Sequence, residues 1–248
     1  MSIMNKKLDK VIRIKTYQQI AHFRKKLTME KIKLTYQLPP YSTVIGMIHA
    51  ISGFDDYEDM NISIQGNFES LVFNLLTNYV YGTNKNSRGN YYFINSKGKR
   101  TSVIKSISET EEIYGLELII HIQIKSKKIF NEVLKKLRNP LIFPSLGRAE
   151  DLLEIKEVKV VELMPFNLQE VNKKNYKTYI PINMLSNKIF SKKLTLNKKY
   201  EIATRYTYRN NNIDLREWVE KVDVAYIFDN SLIRSNVIDQ DGFMVFLA

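Results

Sequence analysis

Residues 35–53 read Thr35-Tyr36-Gln37-Leu38-Pro39-Pro40-Tyr41-Ser42-Thr43-Val44-Ile45-Gly46-Met47-Ile48-His49-Ala50-Ile51-Ser52-Gly53. Their second half carries the marks of a helix with both ends set. Pro39-Pro40 keeps the incoming chain extended, because proline fixes its own φ and pushes its predecessor out of the α region. Ser42 stands where an N-cap hydroxyl would accept a bond from an unpaired backbone N–H. Val44, Ile45, Met47, Ile48 and Ile51 fall on one helical face, Gly46 suits a close helix–sheet contact, and Gly53 suits a left-handed terminator. A helix start with free N–H groups attracts anions. Just upstream, His22-Phe23-Arg24-Lys25-Lys26 supplies three cations.

Outward from this helix, alternation of apolar and polar residues marks strands. From Lys10 to Ile20, Ile12 and Ile14 face one way and Arg13, Lys15 and Tyr17 the other. Met60 to Gln65 alternates as a second strand. Leu116 to Ile124 is the clearest, with Leu118, Ile120, Ile122 and Ile124 opposed to Glu117, Ile119, His121 and Gln123. Ser126 opens a second helix with Ile129, Val133, Leu134 and Leu137 as its inner stripe, and Asn139-Pro140 stops it. Glu154 to Met164 closes the set as a valine-rich strand.

The expected fold is therefore α+β, with an RRM- or ferredoxin-like β-α-β-β-α-β core. Residues 67–115, between the second and third strands, are too long for a turn and read as an extended, partly helical or hairpin projection. Two units are expected. Residues 1–165 hold the core with its insertion, and residues 166–248 form a β-rich C-terminal subdomain packed on it, with 176–181 as an edge strand.

The chain has 248 residues, 44% of them apolar, and a net charge of +12. That balance gives a real core and implies an acidic partner, nucleic acid or a membrane surface. Residues 1–33 carry ten Lys and Arg against Asp9 and Glu30. Without cysteine there is no disulfide or thiolate metal site, which fits a cytoplasmic location. No stretch has the length of a membrane span. His22, His49 and His121 are the only histidines and lack metal-ligand spacing, so neither a metal nor another cofactor is expected.

Two motifs carry a resemblance. HFRKK followed by YQLPPYSTVIGMIHAISG, and then Pro144-Ser145-Leu146-Gly147-Arg148-Ala149-Glu150-Asp151, resemble the CRISPR-associated RAMP superfamily. The likeness is to its fifth Cas family, closest to subtype I-B. The resemblance implies a non-catalytic subunit that caps the 5′ handle of the guide RNA in a type I Cascade complex. It also implies three partners: the CRISPR RNA, the repeated backbone subunit, and the large subunit that reads the protospacer-adjacent motif. The family's thumb sits where the 67–115 insertion lies.

The candidate RNA-binding residues follow from both lines. His22, Arg24, Lys25 and Lys26 form a basic segment, and Tyr41, Ser42 and Thr43 open the helix. Arg88, Tyr91, Tyr92, Lys97, Lys99 and Arg100 mix cations with rings on the insertion, the combination that single-stranded RNA recognition uses. Gly147 lets backbone N–H groups approach phosphate, and Arg148 can bridge two of its oxygens. The competing reading of Arg148 is an ion pair with Glu150 or Asp151. One subtype of the family cuts precursor RNA without metal, using a tyrosine, a lysine and a histidine. That makes His121, Tyr17 and Lys15, on the polar sides of their strands, an alternative catalytic set for a metal-independent endoribonuclease.

Overall fold

The longest strand is the axis on which the others are laid. In the computed structural model, which describes residues 9–25, 32–81, 91–94, 96–98, 100–166, 175–185, 198–208, 216–228 and 237–248, β6 runs unbroken from Arg100 to Gln123. Its second half is the alternating apolar run of the sequence. On one side it pairs with β1 (Lys10–Ala21), Ile12 opposite Ile122 and Ile14 opposite Ile120. On the other side lies β3 (Asn61–Asn67), with Ile62 and Ile64 opposite the same two residues. β7 (Glu154–Pro165) pairs with the outer edge of β1. The result is an antiparallel order β7-β1-β6-β3. Among the described residues the fold is α+β, mostly antiparallel sheet with two α-helices.

The isoleucine face of this sheet is covered by α1 (Tyr41–Ser52) and α2 (Lys127–Arg138). Ile12, Ile14, Ile62, Ile64, Ile120 and Ile122 are fully buried beneath them. Burying one such side chain contributes about 1.5–3 kcal/mol, so this layer dominates the fold's stability. Ser126 caps α2 as its sequence indicates, its hydroxyl accepting from the Ile129 N–H at 3.4 Å. α1 departs from expectation. It begins at Tyr41 with Pro40 in the cap position, so Ser42 is the second helical residue and its hydroxyl makes no capping bond. Gly53 does end it, at φ +73°. A Cβ on Gly46 would meet nothing within 4 Å, so close packing does not require glycine there.

The opposite face is not open to solvent. β11 (Val237–Asp239) pairs with β7, and the chain then crosses the sheet to Ala248. Gln65 donates through Nε2 to the Met244 carbonyl at 2.8 Å, and the Phe246 N–H donates to Ser63 Oγ at 3.0 Å. Ile62 and Ala248 exchange backbone bonds of 3.0 and 3.1 Å. Arg13 is 1% exposed under this layer. It pairs with Asp239 at 2.7 Å, Glu157 at 2.6 Å and Asp241 at 2.7 Å.

Beyond the core, the sheet grows in two directions. β8 (Lys177–Pro181) pairs with β3, followed by β10 (Arg216–Ile227) and β9 (Lys198–Tyr208). β8 is therefore an interior strand, its proline at the last position where a missing N–H is tolerated. Among the described residues, β8, β10 and β9 extend the same sheet as the core strands.

The first half of β6 leaves the core as a ribbon. β4 (Ser70–Tyr81) pairs along it from Tyr114 to Val103, and β5 (Tyr91–Ile94) pairs with Arg100–Val103. β2 (Ile32–Lys33) joins in parallel at Glu109 and Thr110. Gly115 lies at the junction with φ +63°, and a Cβ there would fall 2.5 Å from the Glu69 side chain. The left-handed torsion is what favours glycine at this position.

Candidate nucleic-acid interface

The site is assembled where the ribbon leaves the core, and neighbouring residues of β6 hold its parts. Glu111 holds an arm made of residues 22–25 and 33–36. The Glu111 carboxylate accepts from the Thr35 N–H at 2.9 Å, and its carbonyl accepts from His22 Nδ1 at 2.8 Å. The arm is bound to itself: the Phe23 N–H donates to Thr35 Oγ1 at 2.8 Å, Tyr36 N–H to the Phe23 carbonyl at 2.7 Å, and Lys25 N–H to the Leu34 carbonyl at 2.9 Å. A carbonyl can only accept, so His22 carries its proton on Nδ1. Burial pushes the His22 pKa down and keeps the ring neutral.

Glu112 holds the second part, the loop between α2 and β7. Arg148 meets the Glu112 carboxylate at 2.8 Å, Asp151 at 2.7 Å and Glu150 at 3.5 Å. The hydrogen bond to Asp151, with that to Glu112, raises the arginine's pKa against the cost of burial. Asp151 also accepts from the His22 N–H at 3.1 Å, and Gln18 Nε2 donates to the Leu146 and Asp151 carbonyls at 2.8 and 2.7 Å. Gly147 sits at φ +106°, and a Cβ there would lie 2.8 Å from the His22 carbonyl oxygen. Glycine is required here so that the loop can lie against the arm.

Between arm, loop and the first turn of α1 lies a cleft of about 920 Å³, closed on its far side by β9. It gathers His22, Arg24, Lys25, Ser42, Thr43, Gly147 and Arg148, which come from three separate stretches of sequence. Lys33, Tyr36, Lys199, Tyr200 and Lys221 line it as well. Tyr36 and Tyr200 meet edge to face at 5.3 Å, and the Lys25 ammonium lies 5.8 and 5.7 Å from their ring centroids. Burial lowers the Lys25 pKa. Lys199 and Lys221 are answered by Asp223 and Glu201, both at 2.8 Å. Arg24 and Lys33 have no carboxylate partner among the described residues. A groove with unanswered cations and ring faces can bind phosphate while stacking a base.

The other candidates fall elsewhere. Tyr41 is fully buried beside Tyr179, whose ring lies 6.0 Å away, and burial pushes its phenol pKa far up. It is a core residue. Tyr92, Lys97 and Arg100 sit on the ribbon, exposed, with the Arg100 guanidinium 4.8 Å above the Tyr92 ring. They do not line the cleft. Lys26, Arg88, Lys99 and the side chain of Tyr91 lie outside the described residues. The competing ion-pair reading of Arg148 is present in the structure, with Glu112 as an additional partner. Sequence reasoning missed Lys33, Tyr36 and the β9 residues. The Lys198-Lys199-Tyr200 run was the available signal, but nothing local places it beside residue 25.

The three residues of the catalytic alternative are each engaged elsewhere in the fold. His121, Lys15 and Tyr17 do share a sheet face, but His121 is fully buried beneath the C-terminal segment, its Nε2 3.0 Å from Asp239. Lys15 is paired to Glu157 at 3.1 Å, and the Tyr17 hydroxyl donates to Gln19 at 2.8 Å. No 2′-hydroxyl can reach the imidazole. His49 is equally committed: Nδ1 bonds the Ile45 carbonyl, and Nε2 accepts from the Glu58 N–H at 2.9 Å. Among the described residues no His, Asp and Glu cluster could hold a metal ion, and no helix is long and apolar enough to cross a membrane.

A family model described as CRISPR-associated protein (Cas_Cas5) matches residues 11–228. The chain belongs to the Cas5 family. Among solved structures, a chain of a CRISPR RNA-guided surveillance complex is similar to this Cas5 chain over 94% of its length and 92% of that chain. The TM-score is 0.54 at 12% identity, which shows a shared fold. A crystal structure of a Cas protein covers 95% of this chain and 98% of that one, at 10% identity and a TM-score of 0.42. A chain of the type III-B Cmr-beta complex bound to cognate target RNA and AMPPnP covers 90% and 86%, at 12% and 0.41. Comparison with curated proteins gave no match.

Proposed function

We propose that this Cas5 chain is a non-catalytic RNA-binding subunit of a type I, I-B-like Cascade complex, holding the 5′ handle of the CRISPR RNA in the cleft. The β-α-β-β-α-β unit would serve as its RRM-like core and the β4–β5–β6 ribbon as its thumb. The backbone and large subunits would be its protein partners in a cytoplasmic assembly. One observation carries the reading: stretches some 120 residues apart in sequence converge on a single groove that joins cations to tyrosine faces. Phosphate contacts there give affinity and register, whereas base identity has to be read by bases splayed against the rings and the ribbon.

The test is a titration of the full-length protein with RNA from the host's own CRISPR repeat handle and with a scrambled RNA of equal length, at moderate salt. The handle should bind at least tenfold more tightly. Equal affinities would remove the handle from the reading. Incubation with precursor repeat RNA in EDTA should leave it intact, and a product with a 2′,3′-cyclic phosphate would reinstate a nuclease.

A further inference from the structure

The first turn of α1 opens on the cleft with its hydrogen-bonding capacity unspent. Pro40 in the cap position offers no side-chain acceptor, and no acidic residue stands in the first turn. The Thr43 and Val44 N–H groups both reach the Pro40 carbonyl, at 3.0 and 3.3 Å, while those of Tyr41 and Ser42 have no backbone acceptor among the described residues. Four unpaired donors at a helix start are ordinary when water or a capping side chain answers them. Here a second feature points the same way. Ser42 is only 5% exposed as a residue and lines the cleft, and its hydroxyl has no hydrogen-bond partner among the described residues. Arg24 and Lys33, the two cations without carboxylate partners, line the same cleft.

We infer that a phosphate of the bound strand seats on the N-terminus of α1, accepting from the Ser42 hydroxyl and the free backbone N–H groups, with Arg24 and Lys33 balancing its charge. The inference rests on the RNA-binding reading and names the group that the site grips. Phosphate fits because a helix start gives converging N–H donors and a positive dipole end, and a phosphate offers several acceptor oxygens at once. Arg148 is less suited to be the principal anchor, since Glu112 and Asp151 already occupy it. The phosphate is either an internal phosphodiester or a 5′-terminal monoester, and the two chemistries are separable.

The experiment uses the full chain and a short single-stranded RNA of the repeat handle, prepared with a 5′-hydroxyl and with a 5′-phosphate. Ser42→Ala should weaken binding about tenfold. Thr43→Asp puts a carboxylate into the first turn, where it suits the helix dipole, so the Tm should hold or rise. The same carboxylate repels the incoming anion. Binding should fall more than tenfold, and the slope of log K against log salt should flatten by about 0.7, the loss of one contact. Equal losses on both RNAs assign an internal phosphodiester, and a loss confined to the 5′-phosphorylated RNA assigns the terminal group. If the wild type binds and both variants match it, the seat is overturned while the RNA-binding reading stands. If the wild type binds neither RNA, both fall.

Discussion

Two arginines on this molecule each meet three carboxylates, and they do opposite work. Arg13 sits between sheet and C-terminal segment, 1% exposed, and its charge is consumed in holding that second layer down. Arg148 is 24% exposed at the mouth of the cleft, where its partners fix the loop that faces the arm. The number of ion pairs therefore does not separate a structural cluster from a binding one. What separates them is whether a groove with unanswered donors lies alongside.

The sharpest way to break the comparison is Arg13→Met. It leaves Asp239 buried beside His121 without its cation, and should cost about 3–5 kcal/mol in denaturant unfolding. A loss below about 1 kcal/mol would show that the C-terminal layer is held by its backbone bonds alone. Acid probes the same cluster. Burial works to raise the Asp239 pKa, but hydrogen bonds from His121, the Phe243 N–H and Arg13 prevail and hold it at about 2, below the ordinary 3.8. The folded state thus resists protonation that the unfolded chain accepts. Stability is complete above about pH 4 and falls by about 2 kcal/mol as pH drops towards 2. In Asp239→Asn this acid limb of a pH–stability curve should flatten.

Arg148→Gln strands two buried carboxylates, Glu112 and Asp151, and is expected to cost the fold about 3 kcal/mol, the low end of that range because Arg148 itself is partly exposed. Its signature lies in RNA affinity, which should fall several-fold even where the fold persists. Arg13→Lys, if folded, should leave affinity unchanged. Gly46→Ala, remote from both clusters and with room for the methyl group, should raise stability by about 0.5–1 kcal/mol.

The apolar half of the fold was readable because burial on one face writes itself as period. Ile12 and Ile14, Ile62 and Ile64, Leu118 to Ile122, and the Ser126 cap all signal their positions within a few residues. The polar half misled for a physical reason. Alternation says that Arg13, Ser63, Gln65 and His121 turn away from the apolar core. It cannot say that residues 237–248 return, 118 to 226 positions later, to bury them under a second layer. β6 was seen only from Leu116 onward because KSISETEEI carries little apolar signal, although its backbone pairs on both edges for part of its length. Seven of the candidate site residues were found from motifs, while the far wall came from β9, a strand brought to them only by sheet order.

Gly115 gives the last consequence. Because the ribbon continues a core strand without a flexible loop, the compass bearing of its tip is written into the left-handed torsion at this one residue and the space that Glu69 leaves it. A chain that shifted this glycine by two positions would keep the same strands and swing the whole outrigger towards a different neighbour. Such a change would redirect what the ribbon touches while leaving the cleft's own chemistry intact.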